Sequence, residues 1–327
     1  MRKHLTVLTQ ALISGVLIAI VGPAAGQQAY PSKPIRFIVP YAAGSGTDIL
    51  ARTIGPKLAE GLGQQVFVDN RGGGNTVIGS EALIRSAPDG HTIMMVAATH
   101  VIVPSLLTKV PYDPIKDFAP VANLSRNELA LVLHPSVPAK TLKEFIALAK
   151  SKPGQLNFGS PGTGTVTHLS IELFNMTVGI KMQHVPYNGP GPLTIDLLGG
   201  HIDWSLQAPI TIIPHIRSGK MKALAITGTT RLAALPQLPT FAEAGLPGYA
   251  VKIWFGVLAP GATPKPIIGR LSAEFSKLLL LPDFREKLSA QGLDPFLLDT
   301  EQFAALIKAD FAMWAKVIKY ANIKAEN

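Results

Sequence analysis

The chain has no cysteine. If it is exported, it therefore has no disulfides, and its core alone must hold the fold. Charged residues make up only 16% of it, with no run of five basic residues and no basic patch interleaved with aromatics. A formal charge of +9 then fits a diffuse field that attracts small anions, or plain solubility; nucleic-acid binding is excluded. Nucleotide fingerprints are missing too. G-x-G-x-x-G fails at two candidate turns because Ile49 and Thr167 occupy the third glycine positions, and there is no G-K-[ST] loop. The nucleophile elbow G-x-S-x-G fails because Ala43 precedes Ser45 by two residues and Phe158 precedes Ser160 by two. His91, His100, His134, His168, His184, His201 and His215 are too dispersed for a metal site, so neither metal nor cofactor is expected.

What is present begins with an export signal. Arg2, Lys3 and His4 form a positive start, Leu5 to Val21 is apolar, and Ala24-Ala25-Gly26 supplies the small residues a signal peptidase needs. Cleavage is expected near Gly26, which would remove Arg2 and Lys3 and lower the charge from +9 to +7. No second apolar stretch is long and clean enough to span a bilayer. The remainder, 47% hydrophobic across the whole chain, exceeds what one core usually serves, so two domains are expected.

Short apolar runs alternate with amphipathic ones, the pattern of an α/β fold. Strands are expected at 35–39, 65–69, 92–97, 118–124, 129–134, 156–159, 181–185, 204–206, 223–227 and 251–258. Helices are expected at 47–62, 76–86, 141–150, 165–177, 193–198, 210–218, 264–280, 282–291 and 300–320. Thr141-x-x-Glu144 is a capping box for one of them.

Two turns carry the chemistry. Ala43-Gly44-Ser45-Gly46-Thr47 follows the first strand, with Asp48 in the first turn of the next helix. Gly159-Ser160-Pro161-Gly162-Thr163-Gly164-Thr165 repeats the pattern in the second half. Glycine lets backbone approach a ligand closely, and a helix N-terminus offers unpaired amides with partial positive charge. Each turn alone reads equally well as a tight, hydroxyl-capped connection; facing each other, the two would hold a carboxylate at each end. His168, one turn into the second helix, either joins that site or braces its loop. Tyr187 would close over a ligand or lie on the surface. Asp203 and Trp204 follow the Gly199-Gly200 break, and Trp204 reads as core.

At these residues the chain resembles the substrate-binding proteins of tripartite tricarboxylate transporters, the Bug-type receptors. The likeness is carried by short stretches in order along the chain. These are Tyr30-Pro31-Ser32-Lys33-Pro34-Ile35, Gly44 to Asp48, Asp69-Asn70-Arg71, Ala87-Pro88-Asp89-Gly90, Thr99-His100 and Pro111-Tyr112-Asp113-Pro114 with Lys116-Asp117-Phe118. Then come Gly159-Ser160 with His168-Leu169, His184-Val185-Pro186-Tyr187, Leu197-Leu198-Gly199-Gly200 with Asp203, Gly219-Lys220 with Ala223-Leu224-Ala225, and Glu243 to Gly248. The first turn departs from the family in having Ala42-Ala43 where proline is usual, and Gly72-Gly73-Gly74-Asn75 lacks a usual proline.

The resemblance implies a two-lobed periplasmic-binding-protein fold, type II-like, each lobe a mixed sheet flanked by helices with the ligand cleft between them. Lobe 1 would comprise 27–126 and 251–327 and lobe 2 127–250, with crossings near Arg126 and Ala250. It implies a non-enzymatic, monomeric periplasmic receptor that captures a small carboxylate, a di- or tricarboxylate first, and delivers it to membrane permease subunits. The ligand-binding residues it nominates are Tyr41, Gly44, Ser45, Gly46, Thr47, Asp48, Ala98 and Thr99 from lobe 1. From lobe 2 come Ser160, Gly162, Thr163, Gly164, Thr165, His168 and Tyr187, with Asp203 added from the glycine break. The alternatives are a sensor with a signalling partner and a secreted α/β hydrolase using Ser45 or Ser160.

Overall fold

The computed structural model describes residues 30–323 except 42, 108, 233, 250, 252, 291 and 292. The export signal, Ala42 and the crossing near Ala250 lie outside the described residues. Eleven strands and ten α-helices are described. In chain order they are β1 (Ile35–Val39), α1 (Gly46–Leu62), β2 (Val66–Asn70), a 3-10 turn (Gly74–Thr76), α2 (Val77–Ile84), β3 (Thr92–Ala97), α3 (Thr99–Leu106) and β4 (Phe118–Asn127). Next come β5 (Ala130–Leu133), α4 (Leu142–Ser151), β6 (Asn157–Ser160), α5 (Val166–Val178), β7 (Gln183–Pro186), α6 (Pro190–Leu198), β8 (Trp204–Gln207), α7 (Pro209–Arg217) and β9 (Lys222–Ile226). The chain closes with β10 (Ile253–Pro260), α8 (Lys265–Leu280), α9 (Pro282–Ala290), β11 (Asp294–Leu298) and α10 (Thr300–Ala321).

These strands build two mixed sheets, the two-lobed α/β architecture expected. One sheet has the order β11-β4-β10-β3-β1-β2, the other β7-β6-β8-β5-β9. In the first, β2, β1 and β3 run parallel while β10 and β11 run antiparallel to their neighbours. In the second, β7, β6 and β8 are parallel and β5 is antiparallel to both β8 and β9.

Strand periodicity explains the layering. Side chains alternate across a sheet, so a strand covered on both faces is apolar throughout. In β3, Ile93 and Met95 enter one core while Met94 and Val96 enter another. In β5, Leu131 and Leu133 face the core that holds Met94, and Ala130 and Val132 face a third. The core containing Met94 and Leu131 is thus continuous between the sheets, and α5 and α10 fill it with Phe174, Trp314 and Val317.

Two elements were missed in the sequence. α3 reads Thr-His-Val-Ile-Val-Pro-Ser-Leu, β-branched and broken by Pro104, yet Val101, Ile102 and Val103 are fully buried. Tertiary burial overrides the local preference there. β11 is a short edge strand with Pro295 inside it, a position where proline is tolerated.

Candidate ligand-binding site

Parallel strands β1, β3, β6, β7 and β8 each run directly into a helix, α1, α3, α5, α6 and α7 respectively. Each of these helices therefore presents its N-terminus at a strand's C-terminal end, where the first amides have no intrahelical partner and the dipole favours anions.

The first turn is held by charge. Ser45 caps α1, its hydroxyl accepting from the Asp48 amide at 3.2 Å. Asp48 is buried and reaches back to accept from the Gly44 amide at 2.8 Å. Asn70 Nδ2 donates to its other oxygen at 2.9 Å, and the Arg52 guanidinium lies 3.0 Å away. Asn70 also donates to the Tyr41 carbonyl at 3.2 Å and accepts from Arg52 at 2.9 Å. Burial alone would raise the Asp48 pKa; the Gly44 amide, Arg52 and Asn70 outweigh it and hold the carboxyl below its ordinary range. Asp48 thus shapes the turn, leaving Gly44 and Gly46 exposed at its tip while Thr47 is buried. Gly44 has φ 82, which only glycine adopts without strain. Beside the turn, burial pushes the Tyr41 phenol up to about 12, with the Thr99 side chain and the Ala97 backbone as its hydrogen-bonding neighbours. Ala98 is the buried residue leading into α3, and Thr99 is half-buried.

The second turn is held without charge. Thr165 caps α5, accepting from the His168 amide at 3.3 Å and donating to the Gly162 carbonyl at 2.8 Å. His168 Nδ1 accepts from the Gly164 amide at 3.0 Å, so that nitrogen carries no proton. The Ser160 hydroxyl is fully buried, donates to the Gly162 carbonyl at 3.0 Å, and lies 2.7 Å from His184 Nε2. With its proton committed to Gly162, Ser160 accepts from the His184 N–H. The two imidazoles stack with centroids 3.7 Å apart and planes 13° apart, and Phe158 stacks on His184 at 5.0 Å. Burial, then the neighbouring His184, lowers the His168 pKa to about 3; burial lowers His184 to about 4. Both rings are neutral at pH 7.

The turn abuts the first sheet's helices. Gly164, with φ 75, sits against α3: a Cβ there would lie 2.5 Å from Leu106 Cδ1. Thr163 is exposed at the tip and Gly162 is half-buried. Tyr187, at the end of β7, donates its phenol to Asp196 Oδ2 at 2.8 Å, and burial followed by Asp196 pushes it up to about 12.

Of the nominated residues, Tyr41 and Gly44 to Asp48 lie at the first turn with Ala98 and Thr99 beside Tyr41, Ser160 to His168 lie at the second with Tyr187 bonded to the Ser160 carbonyl, and Asp203 lies apart. That carboxylate accepts from the Asn157 amide at 2.8 Å, and Asn157 Oδ1 accepts from the Asp203 amide at 2.9 Å. The pair ties the starts of β6 and β8, the ends of the strands away from both turns. Among those gathered, Asp48, Ser160, Thr165 and His168 spend their polar atoms on the turns themselves. Ser160, one of the two serines weighed as a nucleophile, is fully buried behind the turn. Asn70, Arg52, His184 and Asp196 were missed as supports. His184 reaches Ser160 only because β7 pairs with β6 in the register Phe158–His184, which no linear spacing announces.

The two mixed sheets flanked by helices have the fold of a two-lobed periplasmic binding protein. The chain belongs to the tripartite tricarboxylate transporter receptor family, whose model matches residues 50–323. It is 35% identical over 316 residues to protein BugT of Bordetella pertussis, covering 95% of this chain and 97% of that one. Among solved structures it is similar to Rpa4515 of R. palustris with adipate (TM-score 0.76, 32% identity, 90% of this chain and 99% of that one). It is also similar to MatC of Rhodopseudomonas palustris with bound malate (TM-score 0.71, 33% identity, 88% and 100%). The family consists of substrate receptors and not enzymes. Among the described residues no helix is long and apolar enough to cross a membrane.

Proposed function

We propose that the protein is a periplasmic receptor that closes on a small carboxylate, a dicarboxylate or tricarboxylate, and hands it to the permease subunits of a tripartite tricarboxylate-type transporter. What supports this reading is the pair of N-capped strand–turn–helix units, β1–α1 and β6–α5, the second resting against Leu106 of α3, the helix whose Thr99 neighbours Tyr41. The Gly46 amide and those at the start of α5, with the Thr99 and Thr163 hydroxyls, replace the anion's water shell. Tyr41 and Tyr187 form the walls. Asp48, Ser160, Thr165 and His168 serve one step back, holding the turns. The adipate and malate held by two relatives are both two-ended anions, as two turns require. Lobe 1 is assigned 27–126 and 251–327, lobe 2 127–250, and residues 1–26 a cleaved export signal.

The test is thermal unfolding of ligand-stripped, refolded protein against mono-, di- and tricarboxylates, aromatic acids and amino acids. A ligand at a hundredfold excess over its dissociation constant should add about 2.7 kcal/mol of apparent stability. A panel in which no carboxylate raises the melting temperature sinks the proposal.

A further inference from the structure

Behind the link that joins the two sheets, away from both turns, lies a gap. β4 ends at Asn127 and β5 begins at Ala130, so residues 127–130 carry the chain from one sheet to the other. The strand orders put both turns on one side of this link. β10, β3 and β1 follow β4 in one direction, and β8 and β6 follow β5. β11 and β9 lie in the other direction. A cavity of about 470 Å³ opens on that side, lined by Ser289, Leu293 and Asp294 of the α9–β11 segment. Facing them are Ile213 of α7 and Thr230 and Leu232, which follow β9.

The two walls belong to different cores. Leu293 is part of the core that holds Ile93 and Met95, whereas Ile213 and Leu232 pack on the core of Ala130 and Val132. Among the described residues these two cores do not join, unlike the core of Phe174 and Trp314 that the sheets share. The arginines of each wall are also engaged locally. Arg126 donates to Asp294 at 2.8 Å and lies 4.3 Å from the centre of the Phe296 ring, all on the first sheet. Arg231 donates to Glu243 at 2.8 Å and to the Pro236 carbonyl at 3.0 Å, beside the second sheet. The shared core and the 127–130 link therefore act as a pivot. Packed interiors do not compress, so a rotation that narrows the turn side widens the cavity side.

We infer that this cavity sets the balance between the open and closed receptor: a group lodged in it props the far side apart and tips the lobes closed over the ligand. This rests on the receptor reading above. Apparent affinity scales with the fraction of protein in the competent form, so such a group tightens binding without touching either turn.

The experiment uses the absence of cysteine, which lets a single introduced thiol be labelled at one place. Thr230→Cys and Ser289→Cys, both at exposed positions and one on each wall, are each labelled with methyl methanethiosulfonate or with pyrene maleimide. Calorimetry then gives dissociation constants for the best-bound carboxylate of the panel above. Pyrene at either position should tighten affinity about 10-fold and shrink the ligand-free radius of gyration in X-ray scattering, while the small label changes neither. Damage to the fold would weaken binding instead. Circular dichroism before and after labelling checks folding, and the smaller bimane label replaces pyrene where pyrene disturbs it. A wild type that binds, with no tightening from the bulky label at either position, overturns this inference alone. A wild type that binds no carboxylate overturns the receptor reading, and this inference with it.

Discussion

The two turns that frame the site have the same backbone plan and opposite chemistry behind it. Each is a glycine-bearing loop ending in a hydroxyl N-cap, Ser45 in one and Thr165 in the other. Behind the first stands an ionised network of Asp48, Arg52 and Asn70. Behind the second stand neutral groups, Ser160, His184 and His168. Either set fixes the loop, because what the loop needs is an acceptor for one glycine amide, Gly44 or Gly164. A carboxylate and an unprotonated imidazole nitrogen both supply it. The choice matters for the proposed anion site: the first turn holds a buried negative charge offset by Arg52, whereas the second holds none.

The comparison breaks most sharply at Asp48. Asp48→Ala strands the Gly44 amide, the Asn70 amide and Arg52 together. Hydrogen bonds to a buried charge contribute about 1.5–3 kcal/mol, so a loss of about 3 kcal/mol in urea unfolding is expected, along with carboxylate binding. Unchanged affinity in a folded Asp48→Ala protein would show that the first turn keeps its shape unaided.

Acid should separate the turns next. His168 and His184 have native pKa values depressed to about 3 and about 4 from 6.5, so the native state resists protons that the unfolded chain accepts. Stability is then complete above pH 6.5 and falls as pH drops from 6.5 toward 4, by about 2 kcal/mol per imidazole at pH 5. Asp48 acts in the same direction but in a lower pH window. Its depressed pKa contributes stability that is present above the ordinary carboxylate value and lost only as pH falls below it. At pH 5 hydrogen exchange, corrected for intrinsic rate, should rise at residues 160–168 and stay level at residues 44–50. Equal changes in both segments would contradict the division. Protonation of His168 also requires the Gly164 amide to let go of Nδ1, and that burial includes Glu172, whose carboxyl lies 3.8 Å from His168 Nε2 and is itself raised by burial.

The smallest difference lies in the matched glycines. Gly44→Ala meets only backbone strain, since open space surrounds it, and should cost about 1 kcal/mol. Gly164→Ala meets the same strain plus Leu106, and should cost about 1–2 kcal/mol more. Adding Leu106→Ala to Gly164→Ala should return part of that excess in a double-mutant cycle; no coupling would mean the turn does not rest on α3.

Much of this was legible beforehand for physical reasons. β1 and α1 announce themselves because Ile35, Phe37 and Val39 alternate with Ile38 in a strand buried on both faces, and Ser45 and Asp48 mark the helix start. Both turns were visible because glycine and capping hydroxyls have local causes. What stayed hidden depends on pairing across the chain. His184 is sixteen residues beyond His168, and only the β6–β7 register stacks them. Asp203 looked like a site residue from its glycine-flanked setting, but strand direction sends it to the far end of β8.

The way the sheets share out the chain bears on how the molecule comes into being. All five strands of the β7-β6-β8-β5-β9 sheet come from residues 130–226, a single uninterrupted stretch. The other sheet cannot close on its own N-terminal segment, because β10, from residues 253–260, is inserted between β3 and β4. Closing that loop of chain is the non-local, entropically slow step. A growing chain therefore completes the histidine-backed turn's platform while the Asp48 turn still waits on an unfinished sheet. The capacity to grip both ends of a ligand is the last property acquired, because it waits on β10 and on α10, which fills the core shared by both sheets.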